Sequence, residues 1–105
     1  MIKLKIIDKV YTIEEIKHNL TPVFQKYEVL KVYLFGSYAK GEAKSYSDVN
    51  LLIKTDGVME LEQFYEFMRD MHHALHIRID VTFQEYINPI LKENIKKEAI
   101  LLYEK

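Results

Sequence analysis

The chain has 105 residues, of which 49% are hydrophobic and 30% are charged. This length fits one domain, and this balance excludes intrinsic disorder. The net charge is −1, so the chain has no overall basic field for binding nucleic acid. It contains no cysteine, which excludes disulfides and cysteine-ligated zinc. No apolar run is long enough to cross a bilayer, and the N-terminus lacks the apolar segment of a signal peptide. We therefore expect a single cytoplasmic domain over residues 1–105, with no membrane and no direct nucleic-acid contact.

The chain opens with a predicted arm and a predicted helix. Residues 2–10 alternate weakly between apolar and charged side chains, which indicates a short edge strand or arm. A capping box follows, with Thr12 as the N-cap and Glu15 three residues later. We predict a helix from there to about Tyr27. Pro22 either kinks this helix or marks a restart with Thr21 as a second cap.

The rest of the chain alternates predicted strands and helices. Strands are predicted at 29–35, 48–53 and 77–83, and helices at 37–43, 59–75 and 89–103. The last helix has Asn88 as its N-cap and Pro89 at its first position, and its apolar end is expected to dock on the sheet or on a partner. This order predicts an α/β (α+β) fold with a mixed sheet of three to four strands and helices packed on it. The predicted core-facing residues of the helix at 59–75 are Leu61, Phe64, Tyr65, Met68, Met71, His72 and Leu75.

Polar side chains interrupt two of the predicted strands on one face. Side chains alternate along a strand, so Asp48 and Asn50 share one face while Val49 and Leu51 share the other. If the third strand is a neighbour, Asp80 joins the first pair. Two carboxylates and an amide oxygen are hard oxygen ligands that suit Mg²⁺, and a cation would offset the repulsion between the two acids. These residues predict a magnesium site.

A second polar element follows the first predicted strand. Gly36 and Ser37 stand where this strand turns into a short helix. Glycine lets a phosphate approach the backbone, and the N–H groups of a first helical turn bind anions. A phosphate cradle beside a divalent-metal site is what phosphoryl or nucleotidyl transfer requires.

The spacing of these elements resembles a known signature. Gly36-Ser37, ten residues and then Asp48-Val49-Asn50 resembles the G-S-x10-D-x-D pattern of the polymerase-beta-like nucleotidyltransferase superfamily. The stretch 35–53 is similar to its minimal nucleotidyltransferase (MNT) group, whose members are encoded beside HEPN-domain proteins as antitoxins of toxin–antitoxin pairs. The resemblance covers nearly the whole chain, including the strand with Asp80. It implies a small nucleotidyltransferase fold.

The resemblance also implies an activity. Such proteins resemble adenylyltransferases that use Mg²⁺ and ATP to move AMP onto a tyrosine of a HEPN-type toxin, which silences its ribonuclease activity within a hetero-oligomer. Gly36 and Ser37 would hold the β and γ phosphates, and Asp48 would bridge two Mg²⁺ ions. Asp80 would bind one of these ions and help to deprotonate the acceptor hydroxyl.

Two residues near the motif have two interpretations each. Lys40 follows the Gly-Ser turn by three residues and is either a phosphate ligand or a solvated lysine. Ser47 directly precedes Asp48 and either orders the nucleotide site or caps a turn. Both are candidate nucleotide-binding residues together with Gly36 and Ser37.

Asn50 departs from the family pattern, which has a second aspartate there. Its carbonyl oxygen can still bind a metal, but one negative charge is absent. Asn50 marks a weakened enzyme, a natural nucleotide-binding pseudoenzyme or a substitution made to trap substrate. We favour a transferase with impaired catalysis. The alternatives are an antitoxin that neutralises its toxin by binding alone and a transferase that acts on a small molecule.

Overall fold

The computed structural model describes residues 8–105. Of the predicted arm at 2–10, residues 2–7 lie outside the described part, and residues 8–10 have no regular structure. None of the helices within residues 8–105 combines the length and the apolar character that a membrane span needs. The elements are α1 (Ile13–Lys26), β1 (Val29–Phe35), α2 (Ser37–Lys40), β2 (Val49–Thr55), α3 (Leu61–Leu75), β3 (Ile79–Phe83), a 3₁₀ turn (Gln84–Tyr86), α4 (Pro89–Glu98) and β4 (Ile100–Glu104).

The four strands form one mixed sheet in the order β3-β2-β1-β4. β1 is antiparallel to both of its neighbours, and β2 is parallel to β3 because α3 crosses between them. The predicted mixed sheet of three to four strands is thereby confirmed. α1 and α3 cover one face, here called the core face, which carries Val32 and Leu34 of β1 and Leu51 and Ile53 of β2. The opposite face is called the open face.

The N-terminal end of α1 is fixed by the predicted capping box. The Thr12 hydroxyl accepts a hydrogen bond from the Glu15 backbone N–H at 3.0 Å, and the Glu15 carboxylate accepts one from the Thr12 N–H at 2.9 Å. The helix continues through Pro22. Thr21 does not restart it, because its hydroxyl donates to the Lys17 carbonyl one turn earlier.

The core-facing side of α3 differs from the prediction. Phe67, Met71 and Leu75 are buried there, whereas Leu61 and Tyr65, which were predicted to face the core, are 67% and 65% exposed. The helix carries apolar residues around much of its circumference, so spacing by three and four is satisfied by two neighbouring stripes. Packing against α1 selects the stripe with Phe67, whose ring lies 5.3 Å from that of Tyr27 between centroids.

The end of the chain is a strand, and the prediction of one helix to residue 103 is wrong. α4 ends at Glu98, Ala99 is extended, and Ile100–Glu104 pairs with β1. The periodicity of a short apolar run, such as residues 100–103, does not distinguish a helix from a strand. The unpaired edge of β1 decides, since β4 satisfies the hydrogen-bonding groups of that edge and buries Leu102, which is 1% exposed.

Candidate functional site

The pairing of β2 with β3 brings two of the predicted site residues side by side. Asn50 and Asp80 are register partners in the parallel pair, so their backbones lie about 4.8 Å apart. Both belong to the open face, because Val49 and Ile79, the residues before them, are buried in the core. Asn50 is half-buried and Asp80 is exposed.

Asp48 lies at the N-terminal end of the same pair of parallel strands. It precedes β2 by one residue, and the next residue, Val49, donates its N–H to the Arg78 carbonyl at 2.9 Å. Strand alternation gives Asp48 the side of Asn50, roughly 8 Å from Asp80 between Cα atoms for ordinary strand dimensions. Within residues 8–105 neither carboxylate forms a salt bridge, so both remain available to a cation.

Gly36 lies against Asn50 from the other side. Phe35, which precedes it, is the register partner of Asn50 in the antiparallel pair of β1 and β2. Gly36 has φ 78° and ψ −153°, a conformation that is essentially restricted to glycine. A Cβ atom at this position would lie 2.5 Å from the Asn50 amide nitrogen. The backbone conformation therefore requires glycine, and a larger residue would also displace the end of the Asn50 side chain.

Ser37 is the first residue of the single helical turn α2. The neighbouring Tyr38 is buried in the core and holds this turn on the sheet. The Tyr38 hydroxyl is buried without a hydrogen-bond partner in the described part of the chain. Burial raises the pKa of Tyr38 above its ordinary value. The turn ends at Gly41 in the left-handed conformation. Ser37 is thus held beside Gly36 at the end of β1.

Lys40 and Ser47 have partners of their own. The Lys40 ammonium lies 3.5 Å from the Glu98 carboxylate at the end of α4, and both side chains are exposed. The Ser47 hydroxyl accepts a hydrogen bond from the Lys44 backbone N–H at 2.8 Å. This bond orders the loop that leads to Asp48. An exposed ion pair contributes little, so Lys40 can exchange Glu98 for another anion.

Comparison with known proteins places the chain in a family. Residues 18–105 match the family described as polymerase beta, nucleotidyltransferase. The chain belongs to this family. A candidate protein adenylyltransferase of Methanocaldococcus jannaschii is 32% identical over 88 residues, which cover 84% of this chain and 95% of that protein. Protein adenylyltransferase MntA of Thermococcus cleftensis is 28% identical over 93 residues, which cover 85% and 94%.

Solved structures confirm the nucleotidyltransferase fold. A structure of a candidate minimal nucleotidyltransferase matches with a TM-score of 0.74 and 25% identity, over 86% of this chain and 95% of the other. A crystal structure of a toxin–antitoxin complex with AMP-PNP matches with a TM-score of 0.73 and 16% identity, over 85% and 73%. The resemblance to the minimal nucleotidyltransferase group is thereby confirmed.

The candidate metal ligands of this nucleotidyltransferase suit a divalent cation only in part, because one of the three is neutral. Asp48 and Asp80 supply carboxylates, and Asn50 between them supplies an amide. Within residues 8–105 no group of three or more histidine, aspartate or glutamate side chains is placed to hold a metal ion. Oxygen ligands on the same face of two neighbouring strands suit Mg²⁺, but the central ligand here is neutral.

The open face of the sheet beside the motif carries residues that the sequence analysis did not identify. Phe35 lies beside Asn50, and Tyr33 lies one row further along the open face, opposite Leu52. The Lys96 ammonium of α4 lies 5.3 Å from the Tyr33 ring centroid, so α4 crosses this part of the sheet. No signal in the sequence indicates this contact, because the packing direction of α4 is a tertiary property.

Proposed function

We propose that this chain is an antitoxin that transfers AMP from Mg-ATP onto a tyrosine hydroxyl of a HEPN-type ribonuclease toxin in the cytoplasm, and that Asn50 weakens this reaction. The observation that carries the proposal is the contact between the two halves of the motif. Gly36 touches Asn50, and Asn50 pairs with Asp80. These contacts support a phosphate cradle at Gly36 and a metal site at Asp80 as neighbours on the sheet.

This arrangement supports in-line attack of an acceptor oxygen on the α-phosphorus of ATP. Gly36 and Ser37 would receive the β and γ phosphates, which leave together as pyrophosphate. Asp48 and Asp80 would hold Mg²⁺, which offsets the charge of the triphosphate when it is bound. Asp80 is exposed, so an acceptor hydroxyl can reach it and give up its proton there.

The relatives support a protein as the acceptor. The Thermococcus cleftensis relative is named a protein adenylyltransferase. One matching structure contains a tri-AMPylated HEPN toxin of Shewanella oneidensis in complex with its MNT antitoxin, with a TM-score of 0.67 and 14% identity, over 89% of this chain and 73% of the other.

Asn50 removes one charge from the centre of the proposed metal site. Loss of a partner that only orients a metal ligand costs about 10- to 100-fold in metal affinity or activity. Loss of a direct ligand charge is expected to cost at least as much. The amide nitrogen of Asn50 also lies toward Gly36, where the proposal puts the phosphates.

The experiment uses the HEPN-type toxin from the same genome. The toxin is incubated with this chain, ATP and Mg²⁺, and its intact mass is measured. We expect a slow or undetectable mass gain with the unchanged chain and a gain of one or more AMP units with Asn50→Asp, at a rate at least about tenfold higher. Asp80→Asn in the Asn50→Asp background is the control and should abolish the gain.

The second candidate function is neutralisation by binding alone, which the incomplete donor set favours. It predicts inhibition of the ribonuclease without any mass gain in either form. A toxin that binds the chain and stays unmodified with Asn50→Asp would overturn the proposed transfer.

A further inference from the structure

Exposed apolar side chains gather at the carboxyl end of β2 and β3, away from the motif. Val58, Leu61, Tyr65 and Tyr86 are 77%, 67%, 65% and 71% exposed. Leu61 and Tyr65 belong to the stripe of α3 that the core does not use. Their exposure is therefore not explained by the packing of this domain.

These side chains form one continuous patch. Ring centroids connect Tyr65 to Phe64 at 6.3 Å, Phe64 to Phe83 at 5.8 Å, and Phe83 to Tyr86 at 6.4 Å. Leu61 lies one helical turn before Tyr65, on the same side of α3. We call this patch, with Val58 at its end, the aromatic surface. A contiguous exposed patch of this kind marks an interaction site.

A pocket opens in the aromatic surface. It has a volume of about 240 Å³ and is lined by Val58, Met59, Phe83 and Tyr86, among others. Pockets that bind small molecules usually measure about 300–1,000 Å³. This pocket therefore suits one inserted side chain of a partner rather than a cofactor, and such inserted side chains dominate the energy of protein interfaces.

The segments that carry the aromatic surface are rich in acidic side chains, which we call its acidic rim. Segments 55–68 and 81–91 contain five carboxylates and no lysine, arginine or histidine. All five are exposed, and none forms a salt bridge within the described part of the chain. Since the whole chain has a net charge of −1, the remaining residues carry +4. The five carboxylates are Asp56, Glu60, Glu62, Glu66 and Glu85.

We infer that the aromatic surface and its acidic rim are the docking site of the HEPN-type toxin, through the toxin's cationic RNA-binding side. This inference rests on the proposed function, which supplies a ribonuclease as the partner. A ribonuclease must attract phosphates and therefore presents cationic side chains, which complement an acidic rim. β3 carries a residue of each site: Asp80 lies on the open face, and Phe83, three residues further and about 10 Å along the strand, lies on the core side.

Binding of the purified toxin by surface plasmon resonance tests the acidic rim. Glu62→Lys is expected to slow association at least fivefold at 50 mM salt, and this difference should shrink at 500 mM salt, where charges are screened. Glu14→Lys is the matched control, because Glu14 is also an exposed acid in a first helical turn, but on α1. It should stay within twofold of the unchanged chain.

Serine substitution tests the apolar part. Leu61→Ser with Tyr65→Ser is expected to raise the Kd at least tenfold, whereas Leu101→Ser, on the exposed side of β4, should leave it within twofold. All the substituted side chains are exposed, and thermal unfolding checks that each variant is folded. The inference would be overturned if the substitutions on α3 changed neither the Kd nor the association rate for the toxin. The inference would also be overturned if these variants lost self-association but still bound the toxin normally. The aromatic surface would then bind a second copy of this chain.

The outcome is separable from that of the proposed function. AMP transfer with unchanged binding of the α3 variants contradicts only the docking site. Weakened binding by these variants, without AMP transfer by Asn50→Asp, contradicts only the chemistry.

Discussion

At the scale of single residues, the site depends on one glycine. Gly36 combines a backbone conformation reserved for glycine with contact to Asn50. Strained positions of this kind persist only where the surrounding structure enforces them. Here the end of β1, the buried Tyr38 and the pairing of Phe35 with Asn50 enforce it.

Gly36→Ala is expected to lower the free energy of unfolding by about 2–3 kcal/mol, because the added methyl group combines strain with a clash. Urea unfolding measures this change. Gly41→Ala is the comparison, since Gly41 has φ 73° in the ordinary left-handed region and nothing within 4 Å of the added methyl group. It should cost about 1 kcal/mol. Equal losses at the two positions would show that neither the rarer backbone conformation of Gly36 nor its contact with Asn50 adds to the cost.

The Asp70 side chain links α3 to the C-terminal end of α1. It accepts a hydrogen bond from the Tyr27 hydroxyl at 2.6 Å and pairs with the Lys26 ammonium at 3.0 Å. These partners favour the charged form, so the pKa of Asp70 is lowered from 3.8. A lowered pKa in the folded state adds stability that is present above the unfolded value and is lost as the pH falls through the folded value.

We expect Asp70→Asn to cost about 1–2 kcal/mol at pH 7. The difference from the unchanged chain should stay constant from pH 5 to 7, shrink as the pH falls below about 3.8, and disappear only once the pH has passed the lowered pKa of Asp70 in the folded protein. Urea unfolding across this range measures it. Glu66→Gln, an exposed carboxylate on the same helix, should have almost no effect. A pH-independent loss for Asp70→Asn would indicate packing instead of charge.

At the scale of elements, β4 decides the shape of the sheet. It adds a fourth strand beside β1, with a register shift between Val32 and Tyr33. Leu102 lies at this irregularity and is 1% exposed, while its neighbour Leu101 is 45% exposed. Adjacent leucines therefore have opposite environments, as expected of a strand.

Leu102→Ala is expected to lower the free energy of unfolding by about 2–4 kcal/mol, because it removes buried methyl groups and leaves a cavity. Leu101→Ala should cost less than about 1 kcal/mol. Thermal or urea unfolding compares the two variants directly. Similar losses at both positions would contradict the strand, and with it the pairing of β4 with β1.

At the scale of the whole molecule, the two faces of the sheet differ: one is packed against α1 and α3, and the other carries the proposed site. α1 and α3 bury the core face, while Asn50 and Asp80 lie on the open face. Charge is also divided, since the aromatic surface has an acidic rim and the rest of the chain is basic. A ligand on the open face therefore adds to stability without disturbing the core.

We expect Mg-ATP to stabilise Asn50→Asp against heat. A ligand at 100 times its Kd adds about 2.7 kcal/mol, which corresponds to roughly 10 °C or more in Tm for a domain of this size. Differential scanning fluorimetry measures the shift. The unchanged chain should show a smaller shift, and Asp48→Asn in the Asn50→Asp background should lose the magnesium-dependent part. A shift that is independent of magnesium would contradict the proposed metal ligands.

The sequence by itself determined the features that depend on neighbouring residues or on motif spacing. The capping box at Thr12, the strand Val29–Phe35 and the short turn after Gly36 follow from local propensity, and the spacing from Gly36 to Asn50 predicts the family. Strand parity predicts that Asn50 and Asp80 share a face if their strands are neighbours. These inferences hold because the backbone period and the preferences of caps and turns act over a few residues.

Only the tertiary structure decided which apolar surfaces are buried. α3 carries two apolar stripes, and contact with α1 selected the one with Phe67 and left Tyr65 exposed. The last segment became β4 because β1 had a free edge. The contact of Gly36 with Asn50 arose from the register of β1 against β2. Each of these choices compares surfaces that are distant in sequence, and a local pattern does not contain the energy of such contacts.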